Sequence, residues 1–224
     1  MTVAFCPQSP LVLPAVAGAP SPALSALRSA VAAAVQTVLV DRPEVVVVVG
    51  EGADGLRFGP GDAGDLRGFG IDLEVPFAGR VRPGGHRVPL PHLVAAWLLD
   101  DAGHTGSRLG VGPADLAAAL ADLPGPVAVL AMGDGSARRT EKAPGALDPA
   151  AGPFDAAVAV ALGAGDPGAL AALDPAAGRR LLAAGVPVWR AVGAALDGRA
   201  VTAGLHHDDA PFGVGYLVAT WRVR

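Results

Sequence analysis

The side chains best suited to chemistry fall in two short clusters. The first is Met132-Gly133-Asp134-Gly135-Ser136-Ala137-Arg138-Arg139-Thr140-Glu141-Lys142-Ala143-Pro144-Gly145, which gathers acids, arginines, hydroxyls and the only lysine of the chain. Gly133 and Gly135 would let backbone amides converge on an anion. Arg138, Arg139 and Lys142 would pair with a carboxylate or enolate, and Asp134 or Glu141 would serve as acid, base or ligand. A surface loop whose charges are simply solvated is the other reading of the same residues. The second cluster is His206-His207-Asp208-Asp209, expected as a polar turn between two strands. If a strand instead continued through it, His206 and His207 would face opposite ways and could not share a metal. A site of two histidines and one carboxylate would then need a further histidine, with His86, His92 and His104 available.

The elements around these clusters follow from apolar periodicity. Val127 to Ala131 is an apolar run that reads as a buried strand feeding the first loop, and open α/β sheets place ligands beyond strand ends of this kind. Thr2 to Cys6 reads as a short strand, with Leu11-Val12-Leu13-Pro14 extended after it. Ser21-Pro22 caps a helix over about residues 22–40, carrying Leu24, Leu27, Val31, Val35 and Leu39 on one stripe. The five valines Val45 to Val49 form the pattern of a central strand covered on both faces. Residues 50–70 read as loop, Ile71 to Val75 as a strand, and Leu93, Ala96, Trp97 and Leu98 as a helix. Further strands are expected at Arg108–Val111, Arg199–Leu205 and Val214–Arg222. Further helices are expected from Pro113 to Leu123, Phe154 to Leu162 and Pro187 to Leu196, with short ones after Asp166-Pro167 and Asp174-Pro175. Strands and helices alternate, which predicts one α/β domain over residues 1–224 with a central, mainly parallel mixed sheet and helices on both faces.

Composition narrows the function classes. With 51% hydrophobic and 17% charged residues, the chain is not disordered, and a surface so poor in charge suits a homo-oligomer. A net charge of −4 with scattered arginines argues against a nucleic-acid partner. Cys6 is the single cysteine, so internal disulfides and cysteine-based zinc sites are excluded. No leader-like segment opens the sequence and no uncharged run suggests a membrane span, so a cytoplasmic protein is expected. Phosphate-loop, dinucleotide, zinc-protease and nucleophile-elbow motifs are all absent, and no motif marks Ser107 or Ser136 as a nucleophile. Phe212-Gly213-Val214-Gly215-Tyr216 reads as core packing with a close approach at its glycines, and the Tyr216 hydroxyl would look to the polar loop for a partner.

Three segments together resemble a known family. They are Cys6-Pro7-Gln8-Ser9-Pro10-Leu11-Val12-Leu13-Pro14, the stretch Gly133 to Asp155, and Ala210-Pro211-Phe212-Gly213-Val214-Gly215-Tyr216. Their order and spacing are similar to the catalytic B subunit (LigB-like) of class III extradiol ring-cleavage dioxygenases and to the related Memo-like proteins, and most of all to an alanine-rich actinobacterial branch. The resemblance implies a class III extradiol dioxygenase-like α/β fold. It also implies Fe(II) held by two histidines and a carboxylate, with catechol and O₂ on the metal and a further histidine as acid/base. This chain departs from that pattern at the chemistry. Gln8 stands at the first histidine ligand, Gly50-Glu51-Gly52 offers no second, and Ala137 follows Ser136 where the acid/base histidine belongs. The carboxylate ligand is not aligned, and Asp208 or Asp209 is only near its region. The expectation is therefore a degenerate, metal-free site without a cofactor. It would bind a small anionic or aromatic ligand with Gln8, Asp134, Ser136, Arg138, Glu141, Lys142 and His206, and His207, Asp134 and Glu141 are the residues to examine for catalysis. The alternative is a non-catalytic structural or interaction subunit of an oligomer.

Overall fold

The computed structural model describes residues 1–16, 21–53 and 55–224. In chain order its elements are β1 Thr2–Cys6, α1 Pro22–Leu39, β2 Val45–Val49, β3 Arg57–Phe58, β4 Ala63–Asp65, β5 Glu74–Pro76, α2 Leu90–Asp101, β6 Ser107–Val111, α3 Leu116–Asp122, β7 Val127–Met132, α4 Ala151–Ala164, α5 Pro167–Ala171, α6 Pro175–Leu181, α7 Val186–Ala195, β8 Val201–Asp209 and β9 Tyr216–Val223.

The valine run forms β2 at the heart of a seven-stranded sheet of order β3-β6-β2-β7-β1-β9-β8. The inner strands β6, β2, β7 and β1 are parallel, and β3, β9 and β8 join antiparallel. Val46 to Val49 are fully buried because helices cover both faces. Helices α1 and α2 pack on one face, and α3, α4, α5 and α7 on the other. Thr2 lies opposite Arg222, so the two ends of the chain close on neighbouring strands of one sheet.

Local signals decide where helices begin. Ser21, Asp166 and Asp174 each accept a backbone N–H from the first turn of α1, α5 and α6, with proline following in all three. By length and composition α1 is apolar enough to cross a membrane, but its stripe of Leu24, Leu27, Val31, Val35 and Val38 is buried against the sheet.

Four expectations are corrected. Pro10–Val12 is a 3-10 turn rather than extended chain, because the Ser9 hydroxyl accepts the Leu11 N–H and caps it. The strand near residue 71 is shifted to Glu74–Pro76, where it pairs with Ala63–Asp65 in a two-stranded sheet. The 50–70 segment therefore holds short strands and a 3-10 turn at Arg67–Phe69, not loop alone, and residue 54 lies outside the described residues. Finally, His206 to Asp209 belong to β8 and are not a turn.

Candidate functional site

Because β1, β2 and β7 run parallel, their C-termini open on one edge of the sheet, and β9 begins there. That register brings Gln8, Glu51, Asp134 and Tyr216 to a single edge, where α/β sheets bind ligands. Asp134 is the focus of its β1 side. Its Oδ1 accepts the Gln8 N–H at 2.9 Å, and the Ser9 N–H also points at this carboxyl. Burial outweighs both donors and pushes its pKa up to about 7. The Ser9 hydroxyl lies 3.3 Å from the Tyr216 hydroxyl. Burial, helped by the nearby Asp134 charge, raises Tyr216 above the usual phenol value. Tyr216 thus finds its partner in the turn after β1 and not in the polar loop. The Oε1 of Gln8 is buried and has no hydrogen-bond partner among the described residues. Cys6 is inert, its thiol pushed up to about 12 by burial.

The loop after β7 is occupied with holding itself in place. The N–H of Gly133 goes to Cys6 O, that of Gly135 to Gly215 O and that of Arg139 to Gly213 O. The Ser136 N–H goes to Asp155 Oδ1 at 2.8 Å. With these amides spent, the expected anion cradle is not formed. Ser136 is fully buried and donates its hydroxyl to Leu181 O at 2.7 Å, so it is structural. Arg138 donates to Gly145 O at 2.7 Å and to Arg180 O at 3.0 Å. Arg139 pairs with Asp155 at 2.9 Å, whose carboxyl is completely buried. Burial raises the Asp155 pKa against the opposing pull of Ser136 and Arg139. Gly135 and Gly215 press on this carboxyl so closely that a Cβ at Gly215 would lie 2.2 Å from Oδ2. Glu141 and Lys142 are exposed on the outer turn. Ala137, half-buried, only accepts the Gly145 N–H through its carbonyl.

A cavity opens between Glu51 after β2 and the helices α6 and α7. It measures about 560 Å³. Pro175, Leu182, Ala183, Val186 and Pro187 give it apolar walls, and Arg179, Arg190 and Glu51 supply its charge. None of the expected pocket residues Gln8, Asp134, Ser136, Arg138, Glu141, Lys142 or His206 lines it. Asp134 touches it indirectly, through its carbonyl, which accepts the N–H of Gly185 at 2.7 Å and seats the start of α7. Gly133 permits that seating, since a Cβ there would lie 2.4 Å from the Gly185 Cα. No local motif marks the two arginines in the sequence: Arg179 sits in the short, alanine-containing α6 and Arg190 in the amphipathic α7. Asp155 was also missed in the sequence, where the available signal is a lone acid on the stripe of α4 that carries the buried Val158 and Leu162.

The second cluster is rearranged by a β-bulge between Leu205 and His207. His206 Nε2 lies 2.7 Å from Thr220 Oγ1, and His207 is in register with Val218, which faces the same way as Thr220. The extra residue therefore turns both histidines to one face, correcting the alternation expected of a regular strand. His206 is exposed, and His207 keeps a buried Nε2 that has no partner among the described residues. The other histidines do not join them. His92 is fully buried at the start of α2 beside Phe58 and Phe77, with Nε2 at 3.0 Å from Val111 O, and burial lowers its pKa to about 4. His104 stands beside Arg108, and His86 beside Asp62 at 3.4 Å. Among the described residues no group of three histidine, cysteine, aspartate or glutamate side chains could hold a metal ion. The donors at the sheet edge are one amide and acids without histidine, which does not fit a site of two histidines and one carboxylate for Fe(II).

No family model matches the chain, and no curated protein matches it. A solved structure, the crystal structure of the uncharacterized protein JW3007 from Escherichia coli K12, is similar over 99% of each chain with a TM-score of 0.50 and 14% sequence identity. At that identity the likeness concerns the fold alone.

Proposed function

We propose that this chain is a class III extradiol dioxygenase-like protein whose iron site is degenerate and which binds a small aromatic or anionic ligand at the carboxyl edge of its sheet. The observation that carries this reading is the cavity of about 560 Å³ beside Glu51, apolar-walled with two arginines. Its position beyond the parallel strands is where such sheets take ligands. The three segments that resemble the dioxygenases meet one another at Asp134 and Gly135, and the middle one accepts the Gly185 N–H next to the cavity wall. The histidines that the resemblance calls for are replaced by Gln8, Gly50-Glu51-Gly52 and Ala137, so no ring-opening step is assigned. We place the protein in the cytoplasm, without a nucleic-acid or membrane partner.

A thermal-shift and calorimetric panel of catechols and aromatic acids, run with excess chelator, tests the reading. At least one ligand should raise the melting temperature regardless of chelator, and Ala184→Phe, which fills the cavity, should abolish the effect. Oxygen consumption with a catechol after anaerobic loading with Fe(II) would overturn the degenerate-site part. A blank panel would overturn ligand binding.

An interaction subunit is the second reading, favoured by one face. The edge strand β8 has no fully buried residue, Leu205 on it is exposed, and Val160 on the adjoining α4 is 70% exposed. Light scattering that returns a strict monomer at micromolar concentration would remove this reading.

A further inference from the structure

Building on the ligand-binding reading, we propose that the cavity between Glu51, α6 and α7 selects a carboxylate with an apolar body, and that Arg179 and Arg190 are the residues that choose it. The charge around the cavity is unequal. Among the described residues that line it, two carry a guanidinium group, Arg179 and Arg190, and one a carboxylate, Glu51. The N-terminus of the ten-residue α7, which supplies Val186 and Pro187 to the wall, adds the positive end of a helix dipole. A neutral ligand would leave this excess positive charge uncompensated, whereas a monoanion balances it.

The two arginines are prepared differently. Arg190 donates one N–H to Leu173 O, which fixes the plane of its guanidinium and leaves further donors for a ligand. Arg179, in the last turn of α6, is exposed and has no bonded partner among the described residues, so it is free to close on an anion. A planar fork of donors matches a carboxylate in two-point contact. Leu182, Ala183, Val186, Pro187 and Pro175 offer only hydrocarbon to the rest of the ligand. A single-ring acid fits the volume, which lies within the range of small-molecule sites.

Calorimetry on the full chain with 3-phenylpropionate and its neutral amide separates charge from shape. The acid should bind about tenfold or more tightly than the amide, because only it forms charge-assisted bonds. Added salt should weaken the acid and leave the amide unchanged. Arg179→Gln, at an exposed position, should reduce the preference to within about threefold. Arg190→Gln should do the same, with its fold checked by circular dichroism because the residue also ties down Leu173. Equal binding of acid and amide overturns the carboxylate assignment and leaves the ligand-binding reading intact. A preference that survives both substitutions overturns the role of the arginines. No binding of the acid at millimolar concentration overturns this inference, and only a blank catechol panel as well removes the reading beneath it.

Discussion

Replacing Asp134 with asparagine isolates the cost of the carboxylate at the sheet edge. Its pKa moves from an ordinary 3.8 to about 7, and burial is the leading cause. In the folded chain the protonated form is thus favoured by about 4 kcal/mol, taking ~1.4 kcal/mol for each tenfold change. Since the residue keeps some exposure, this is an upper bound. Between pH 3.8 and 7 the folded state holds a proton that the unfolded state has released. Stability is therefore fully present in acid and is lost as pH rises toward 7, and above 7 the whole cost is paid. Asparagine keeps an acceptor for the Gln8 N–H but carries no charge. Asp134→Asn should match the parent near pH 4 and exceed it at pH 8 by up to about 4 kcal/mol. Urea unfolding followed by tryptophan fluorescence at half-unit pH steps reads this difference, and subtraction removes every other titrating group. A constant difference from pH 4 to 8 would refute the raised carboxyl, and a variant less stable at pH 8 would show that the ionised form is held by donors beyond Gln8 and Ser9.

Other outcomes follow from the same geometry. His92 has its pKa lowered to about 4, so its neutral form is the one the fold tolerates. Stability should be complete above pH 6.5 and fall by about 3 kcal/mol as pH drops through 4, a loss that His92→Gln should flatten in urea titrations. Arg108 is buried, bonds to Phe77 O and Ala96 O at 3.2 Å each and to His104 O, and pairs with Asp100 at 2.6 Å. Arg108→Met strands Asp100 and three carbonyls and should lower stability by about 3–5 kcal/mol at an unchanged urea slope. Ser136→Ala leaves Leu181 O and the Arg138 N–H short of a partner and should cost about 1–3 kcal/mol without touching ligand affinity, which calorimetry checks. Lys142→Ala, on the exposed turn, should change neither stability beyond about 0.5 kcal/mol nor binding, and a lost thermal shift there would return the loop to the site.

Much of the architecture was legible in the chain because it depends on local chemistry. Val45 to Val49 can hardly be anything but a covered strand, and Ser21-Pro22, Asp166-Pro167 and Asp174-Pro175 start helices where they stand. Alternation of these elements was enough to define a mainly parallel α/β sheet with two helical layers. The departures at Gln8, Gly50-Glu51-Gly52 and Ala137 from the histidines that the resemblance implies are likewise read from the sequence. Tertiary structure decided the rest, for the reason that polar side chains have many ways to be satisfied. Whether Arg138 met a ligand or a carbonyl depended on Gly145 and Arg180 arriving beside it, and Ser136 became structural because Leu181 O came within 2.7 Å. One inserted residue in β8 turned His206 and His207 to a common face, a change no pattern of period two announces. The start of α7, which supplies Val186 and Pro187 to the cavity wall, rests on the end of β7 where Gly133 leaves room for Gly185. That contact spans about fifty residues of sequence, and it moved the charge of the candidate site from the loop to Arg179 and Arg190.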